Sequence, residues 1–182
     1  MPREKKEIQK EDIMPLDVYI KNRKELRKNI VSFKKDRRIA LGPYATFYFE
    51  SYETMLAQVQ EMLYIEKGGE EQLKDELTAY NPLIPNGKEL TATLMFEIDN
   101  PVSRSAFLSK VGGIEEKVFI KIDGESIKAS PEKDVDRTSA EGKASSVQFI
   151  HFKFNDEQIQ KFKLEDVEVE IGINHKEYSH TT

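Results

Sequence analysis

The residues best suited to chemistry are arginines and carboxylates on or beside the apolar faces of two predicted helices. Arg23 and Arg27 lie within the apolar stripe of the first helix, where a guanidinium must reach solvent or meet an anion. Glu66 is in line with the apolar face of the second helix, so its carboxylate is a candidate ligand or general base. Opposed guanidinium and carboxylate groups beside an apolar pocket can hold and polarise an anionic or small-molecule ligand. The candidate ligand-binding residues are Arg23, Arg27, Arg38, Glu50, Gln58, Glu61 and Glu66.

The same residues also have structural explanations. Arg23 and Arg27 would equally well form ion pairs with an acidic part of the chain. Glu66 would turn into water if it lies in the last turn of its helix, just before the Gly68-Gly69 pair that stops the helix. The sequence leaves both explanations open.

Other kinds of catalytic site have little support. The chain contains no cysteine, which excludes disulfides, thiol catalysis and cysteine-ligated metal or iron–sulfur centres. His175 and His180 lie five residues apart with Glu177 in a polar stretch, a poor scaffold for a metal, and we predict no metal site there. His151 is expected to lie in a sheet beside a local partner. There is no G-x-S-x-G turn or Gly-rich phosphate loop, so the sequence identifies neither a catalytic residue nor a cofactor.

Charge is distributed unevenly along the 182 residues. Residues 1–41 contain 13 Lys and Arg against 7 Asp and Glu, whereas the remainder contains 15 against 26. A basic N-terminal part can contact nucleic acid, or it can dock on the acidic remainder of the same chain. Because the total charge of −5 repels phosphate at long range, we favour the second interpretation and predict that nucleic acid is not the partner.

The elements that must position these residues centre on residues 37–66, RRIALGPYATFYFESYETMLAQVQEMLYIE. This stretch predicts a strand, a turn at Gly42-Pro43, a second strand and then a helix. Ser51 is expected to cap the helix, with Thr54 in the capping-box position. The apolar residues of the helix fall within a sector of about 120°. They are Tyr52, Met55, Leu56, Val59, Met62 and Leu63.

Predicted helices gather early in the chain and alternating strands late. A basic N-terminal helix starts near Leu16, a further helix covers 70–80, and residues 90–99 alternate as a half-buried strand does. We therefore predict an α+β fold with an antiparallel sheet of about five strands and helices packed mainly on one face. Residues 1–14 are predicted to be a charged, flexible arm, 15–178 a single domain and 179–182 a tail.

Neither a signal peptide nor a membrane-spanning segment is predicted. The opening residues MPREKKEIQKEDIMP have no apolar core, and no apolar run approaches the roughly 20 residues that span a bilayer. We predict a cytoplasmic protein.

Four segments resemble one family when taken in this order and spacing: RRIALGPYATFYFES (37–51), QVQEMLYIEK (58–67), ELTAYNPLIPNG (76–87) and SSVQFIHFKF (145–154). Together they resemble the bacterial domain-of-unknown-function family 3501, from about Leu16 to Tyr178. The resemblance implies a small soluble bacterial protein with no established activity. It also implies a genomic neighbourhood of rubrerythrin-like and iron–sulfur oxidoreductase proteins, and hence an accessory role in redox or peroxide handling.

Three hypotheses about function follow. The leading one is a non-enzymatic accessory or binding protein that docks on a protein partner, which the resemblance implies is a redox enzyme. The second is a small-molecule or anion-binding enzyme that uses the Arg and Glu residues named above. The third is nucleic-acid binding through residues 21–38, which contain few interleaved aromatic residues.

Overall fold

A computed structural model describes residues 6–132, 138–139 and 141–182. These residues form two compact units. The first, called here the helical unit, contains residues 6–38 and 50–86. The second, called here the β unit, contains residues 39–49 and the described residues from 87 to 182.

The helical unit contains three α-helices: α1 (Leu16–Lys34), α2 (Tyr52–Glu66) and α3 (Gly69–Tyr80). The N-terminus of α2 forms the capping box that the sequence predicts, because Ser51 and Thr54 each accept a hydrogen bond from the other's backbone N–H. The helix ends at Lys67, whose left-handed backbone (φ 55°) turns the chain toward α3. Short 3-10 turns cover Lys10–Asp12, Lys35–Arg37 and Asn81–Leu83.

The β unit contains two antiparallel sheets. The strands are β1 (Arg38–Leu41), β2 (Ala45–Phe49), β3 (Glu89–Phe96), β4 (Val118–Ile122), β5 (Glu125–Lys128), β6 (Ser130–Pro131), β7 (Val147–Lys153), β8 (Val169–His175) and β9 (Tyr178–Thr181). Five of them are ordered β1-β2-β3-β7-β6, and the other four are ordered β5-β4-β8-β9. Two helices, α4 (Pro101–Leu108) and α5 (Asp156–Phe162), complete the unit together with a 3-10 turn at Ile114–Lys117.

The main hydrophobic core lies within the β unit. Buried residues alternate along β4, as in a half-buried strand, whereas β3, β7 and β8 each contain runs of consecutive buried residues. The side chains of Phe47, Leu94, Ile150 and Phe152 are completely buried there. Val118 and Ile122 from the second sheet belong to the same core.

Tyr178 fastens the turn between β1 and β2. Its hydroxyl donates to the carbonyl of Leu41 and accepts from the backbone N–H groups of Tyr44 (3.1 Å) and Ala45 (3.0 Å). Gly42 has φ of +63°, and a Cβ atom there would lie 2.7 Å from the Tyr178 hydroxyl and 2.6 Å from the His180 ring. Glycine is therefore required at this turn, which the sequence predicts at Gly42-Pro43.

The predicted α+β class and the antiparallel five-stranded sheet are confirmed. The second sheet of four strands was not predicted. Residues 179–181 of the predicted tail lie in β9, which pairs with β8. At the other end, the predicted arm contains Ile8, which is only 1% exposed. The division into one domain with an arm and a tail stays a prediction.

No helix in the described part of the chain combines the length and the apolar character that a membrane crossing needs.

Candidate functional site

A cluster of polar side chains joins α1 to α2 inside the helical unit. Arg23 donates to both carboxylate oxygens of Glu61, from Nε to Oε2 at 3.1 Å and from Nη2 to Oε1 at 2.5 Å. The Tyr19 hydroxyl donates to Glu61 Oε2 at 2.6 Å. The Arg23 guanidinium also lies over the ring of Tyr64, 4.4 Å from its centroid. Glu61 thus accepts three hydrogen bonds from one face of α1, in the paired geometry typical of arginine and carboxylate.

The electrostatics of this cluster follow from its hydrogen bonds. The hydrogen bond from Arg23 lowers the pKa of Glu61 below its ordinary value, although burial acts in the opposite direction. Burial raises the pKa of Tyr19 to about 12, and the hydrogen bond to Glu61 adds to that shift. At neutral pH the cluster is therefore a carboxylate, a guanidinium and a neutral phenol.

A groove opens beside the cluster, between α1 and α2, and is called here the α1–α2 groove. Its volume is about 650 Å³. Its apolar lining consists of Met14, Leu26, Ile30, Val31, Phe33, Leu56 and Ala57. Its polar lining includes Arg27, Lys34, Glu53, Gln58 and Glu61.

The structure brings some of the predicted site residues together. Arg27, Gln58 and Glu61 line the α1–α2 groove, and Arg23 adjoins it through its bidentate pair with Glu61. Arg27 Nη1 lies 3.7 Å from Glu61 Oε1, with 58% of the Arg27 side chain exposed. Gln58 also donates from Nε2 to the hydroxyl of Tyr80, at 3.4 Å.

The other three predicted site residues do not line the groove. Arg38 is exposed at the start of β1. Glu50 is 5% exposed and accepts a hydrogen bond from the Thr54 hydroxyl at 2.5 Å. Glu66 lies in the last turn of α2, where its carboxylate accepts from Gln72 Nε2 at 3.1 Å. The proposed ligand role of the seven residues stays a prediction.

Sequence reasoning overlooked Phe33 and Ala57, which contribute to the apolar lining of the groove. Phe33 follows Ile30 by three residues, so it continues the apolar stripe of α1 by one turn. That spacing was the signal that could have found it.

The histidines lie in the β unit. His151, in β7, is buried and lies between two carboxylates, with Nδ1 3.1 Å from Glu89 Oε2 and Nε2 2.8 Å from Glu132 Oε2. This confirms the prediction of a sheet histidine with a local partner. His175 Nδ1 accepts from the backbone N–H of Glu177, and the ring of His180 packs against a neighbouring tyrosine. Among the described residues, no group of three His, Asp or Glu side chains is arranged to hold a metal ion.

A solved structure is similar to this chain over nearly all of its length. It is the crystal structure of a novel protein of unknown function from Burkholderia pseudomallei, which is 33% identical in sequence, with a TM-score of 0.87. The match covers 95% of this chain and 90% of the Burkholderia chain. No curated protein matches the sequence. A family model of proteins of unknown function also matches residues 7–182, and the chain therefore belongs to the family DUF3501.

Proposed function

We propose that this protein is a non-enzymatic accessory protein that binds a protein partner in the α1–α2 groove. The partner segment is an amphipathic helix with an apolar face and carboxylates along one edge. The observation that carries the proposal is a half-exposed apolar strip bordered by the most basic segment of the chain. The partner is defined by its surface chemistry, and the redox enzyme that the resemblance implied stays a prediction.

The apolar strip is unusually exposed for a helix–helix junction. Phe33 is 40% exposed and Val31 59% exposed, and Ile30 and Leu56 are only half-buried. In α1, Tyr19 is the one fully buried residue among its 19 described positions. Clustered apolar side chains that stay in contact with water typically mark interaction surfaces.

The dimensions of the strip suit a helical partner. The α1 residues that line the groove between Leu26 and Lys34 extend over nine residues, or about 12 Å of helix. That length accommodates about two turns of a partner helix, which would present apolar residues at positions i, i+3 or i+4, and i+7.

The positive charge of α1 favours a partner helix with an acidic edge facing it. Residues 16–38 contain nine Lys and Arg against three Asp and Glu. On the groove side, the positive groups of this segment are Arg27, whose side chain is mostly exposed, and Lys34. Carboxylates of the partner that face α1 would meet these groups, which speeds association and fixes the orientation of the partner helix.

The groove is less suited to the enzymatic alternative. Arg23 and Glu61 satisfy each other through two hydrogen bonds, so the opposed charges needed to hold and polarise a substrate are already paired. Breaking that half-buried pair to admit a ligand would leave a charge without its partner.

Two synthetic helical peptides test the proposal by fluorescence anisotropy. Both have leucines at i, i+3 and i+7; one has glutamates along one edge, and the other has lysines at the same positions. We expect the acidic peptide to bind about tenfold or more tightly than the basic one, because like charges repel at α1. Phe33→Asp should weaken the acidic peptide about tenfold or more by placing a charge in the apolar strip.

Val102→Asp is the matched control, because Val102 is 77% exposed and lies in the β unit. Val31→Asp gives a second test of the groove if the Phe33 variant loses its helical circular dichroism. Equal affinities for both peptides, or equal affinities of Phe33→Asp and Val102→Asp, would refute the proposal. A dimer that Phe33→Asp dissociates in light scattering would assign the groove to a second copy of the chain instead.

A further inference from the structure

The segment before α1 lies against the rest of the helical unit in the manner of a bound peptide. The backbone N–H of Ile8 donates to Asn81 Oδ1 at 2.8 Å, and Asn81 Nδ2 donates to the Ile8 carbonyl at 3.1 Å. The side-chain amide of Asn81 thus replaces the peptide group of a neighbouring strand. Such a pairing recognises a non-helical backbone whatever its side chains, and this is the usual basis of peptide recognition by main-chain hydrogen bonds.

Every second side chain of residues 6–10 contacts the rest of the helical unit. The middle one is buried, and a lysine lies two positions on either side of it. Ile8 is 1% exposed. Two residues before it, Lys6 Nζ donates to the carbonyl of Asn86 at 2.5 Å. Two residues after it, Lys10 Nζ donates to Glu70 Oε1 at 2.5 Å. The segment therefore has the pattern Lys-x-Ile-x-Lys, with the isoleucine as its buried anchor.

The side-chain amide of Gln60 forms the same kind of paired hydrogen bonds further along the segment. The backbone N–H of Met14 donates to Gln60 Oε1 at 2.8 Å, and Gln60 Nε2 donates to the Met14 carbonyl at 3.1 Å. With the segment in place, Gln60 is only 6% exposed. Met14 and Gln60 line the α1–α2 groove, so this second attachment holds the far end of the segment and leaves residues 6–10 to Asn81.

The segment does not fill the space available to it. A cavity of about 730 Å³ lies along residues 6–10 and is lined on the opposite side by Leu73, Leu77 and Pro82. The ion pair between Lys10 and Glu70 is largely exposed, with 61% and 84% of the two side chains in contact with solvent, and so contributes little. Ile8 and the amide of Asn81 are therefore the main attachments of residues 6–10.

We propose that the cavity along α3 is a peptide-binding site, separate from the α1–α2 groove. Its ligand is a non-helical segment with an aliphatic residue flanked by lysines two positions before and two positions after. Residues 6–10 of the chain are its built-in occupant and compete with the peptide of a partner. Because an attached segment has a high effective concentration, a free peptide binds well only when the arm is released.

A labelled peptide with the sequence of residues 6–10, none of which lines the α1–α2 groove, tests the site by fluorescence anisotropy on full-length protein. Ile8→Asp releases the arm, and we expect this variant to bind the peptide at least about tenfold more tightly than the unmodified chain. Adding Asn81→Leu should weaken binding at least about tenfold, because it removes both backbone hydrogen bonds. The matched control is Asn22→Leu, since Asn22 is an exposed asparagine in α1 that bonds only within its own helix.

Hydrogen exchange gives a second measurement that needs no variant of the arm. Peptide at a concentration well above the effective concentration of the attached arm should speed exchange of the Ile8 amide in the unmodified chain at least about tenfold, because it keeps the arm displaced. A peptide with Asp in place of Ile8 should not. The inference fails if the folded Ile8→Asp protein does not bind the peptide, or if Asn81→Leu and Asn22→Leu have equal effects.

Two further outcomes separate this site from its alternatives. A dimer lost on Ile8→Asp would mean that the arm of a second copy occupies the cavity, which would overturn the proposal. Phe33→Asp should leave binding of this peptide unchanged, so the failure of one proposal does not decide the other.

Discussion

The interactions within the helical unit differ in kind from those within the β unit. In the β unit, fully buried side chains such as Phe47 and Phe152 form one apolar core with residues from both sheets. In the helical unit, α1 contributes only Tyr19 to the buried residues, and it is joined to α2 by hydrogen bonds to Glu61.

This difference separates a stable scaffold from a binding surface. Apolar burial is the dominant favourable term in folding, so the β unit contains the larger share of stabilising contacts. Elements with few buried apolar contacts open at lower free energy, and binding regions are commonly drawn from them. The exposed apolar strip of α1 and the amide-held arm both belong to the helical unit, where that reasoning places binding sites.

The largest expected effect comes from the same substitution made in each unit. Phe47→Ala removes a completely buried ring from the β unit and should lower the free energy of unfolding by about 3–5 kcal/mol. Phe33→Ala removes a ring that is 40% exposed and should cost less than about 1 kcal/mol. Urea unfolding followed by circular dichroism measures both. Equal losses would contradict the comparison between the units.

Removing one tyrosine hydroxyl from each unit should change the free energy of unfolding by smaller amounts, which again differ between the units. Tyr178→Phe leaves the Leu41 carbonyl and two backbone N–H groups of the β unit without their bond to the hydroxyl, and should cost about 1–3 kcal/mol. Tyr19→Phe should cost less than about 1 kcal/mol, because Glu61 keeps both of its bonds to Arg23. The same unfolding assay compares them, and a greater loss for Tyr19→Phe would show that the polar cluster outweighs the buried turn.

Local features of the fold were predictable because their causes are local. The capping box at Ser51 and Thr54 is visible in four consecutive residues, and the Gly42-Pro43 turn in two. The second sheet was missed because alternation identifies strands without saying which strands pair. The pairing of residues 179–181 with β8 was not predicted, because these residues are polar and only the neighbouring Tyr178 is buried.

The candidate site was predictable only in part, for a related reason. The position of Arg23 within an apolar stripe correctly indicated a nearby anion. That the anion is Glu61, 38 residues away, depends on the register of α1 against α2, which no local pattern encodes. The amides of Gln60 and Asn81 gave no signal at all, because their partners lie 46 and 73 residues away in the chain.

The smallest expected effect tests whether the polar cluster stabilises the helical unit through charge. Glu61 has its pKa lowered in the folded protein, so its contribution is present above the ordinary glutamate pKa of about 4.3 and is lost as the pH falls through the folded value. Glu61→Gln should therefore lower the free energy of unfolding by about 1 kcal/mol near neutral pH, and the difference should shrink toward zero on acidification. Urea unfolding across that pH range measures it.

In an Arg23→Met background the pH dependence of the difference should largely disappear, because the hydrogen bond from Arg23 is the main cause of the shift. A pH dependence that survives in that background would mean that another group, such as the Tyr19 hydroxyl, is the main cause of the lowered pKa of Glu61.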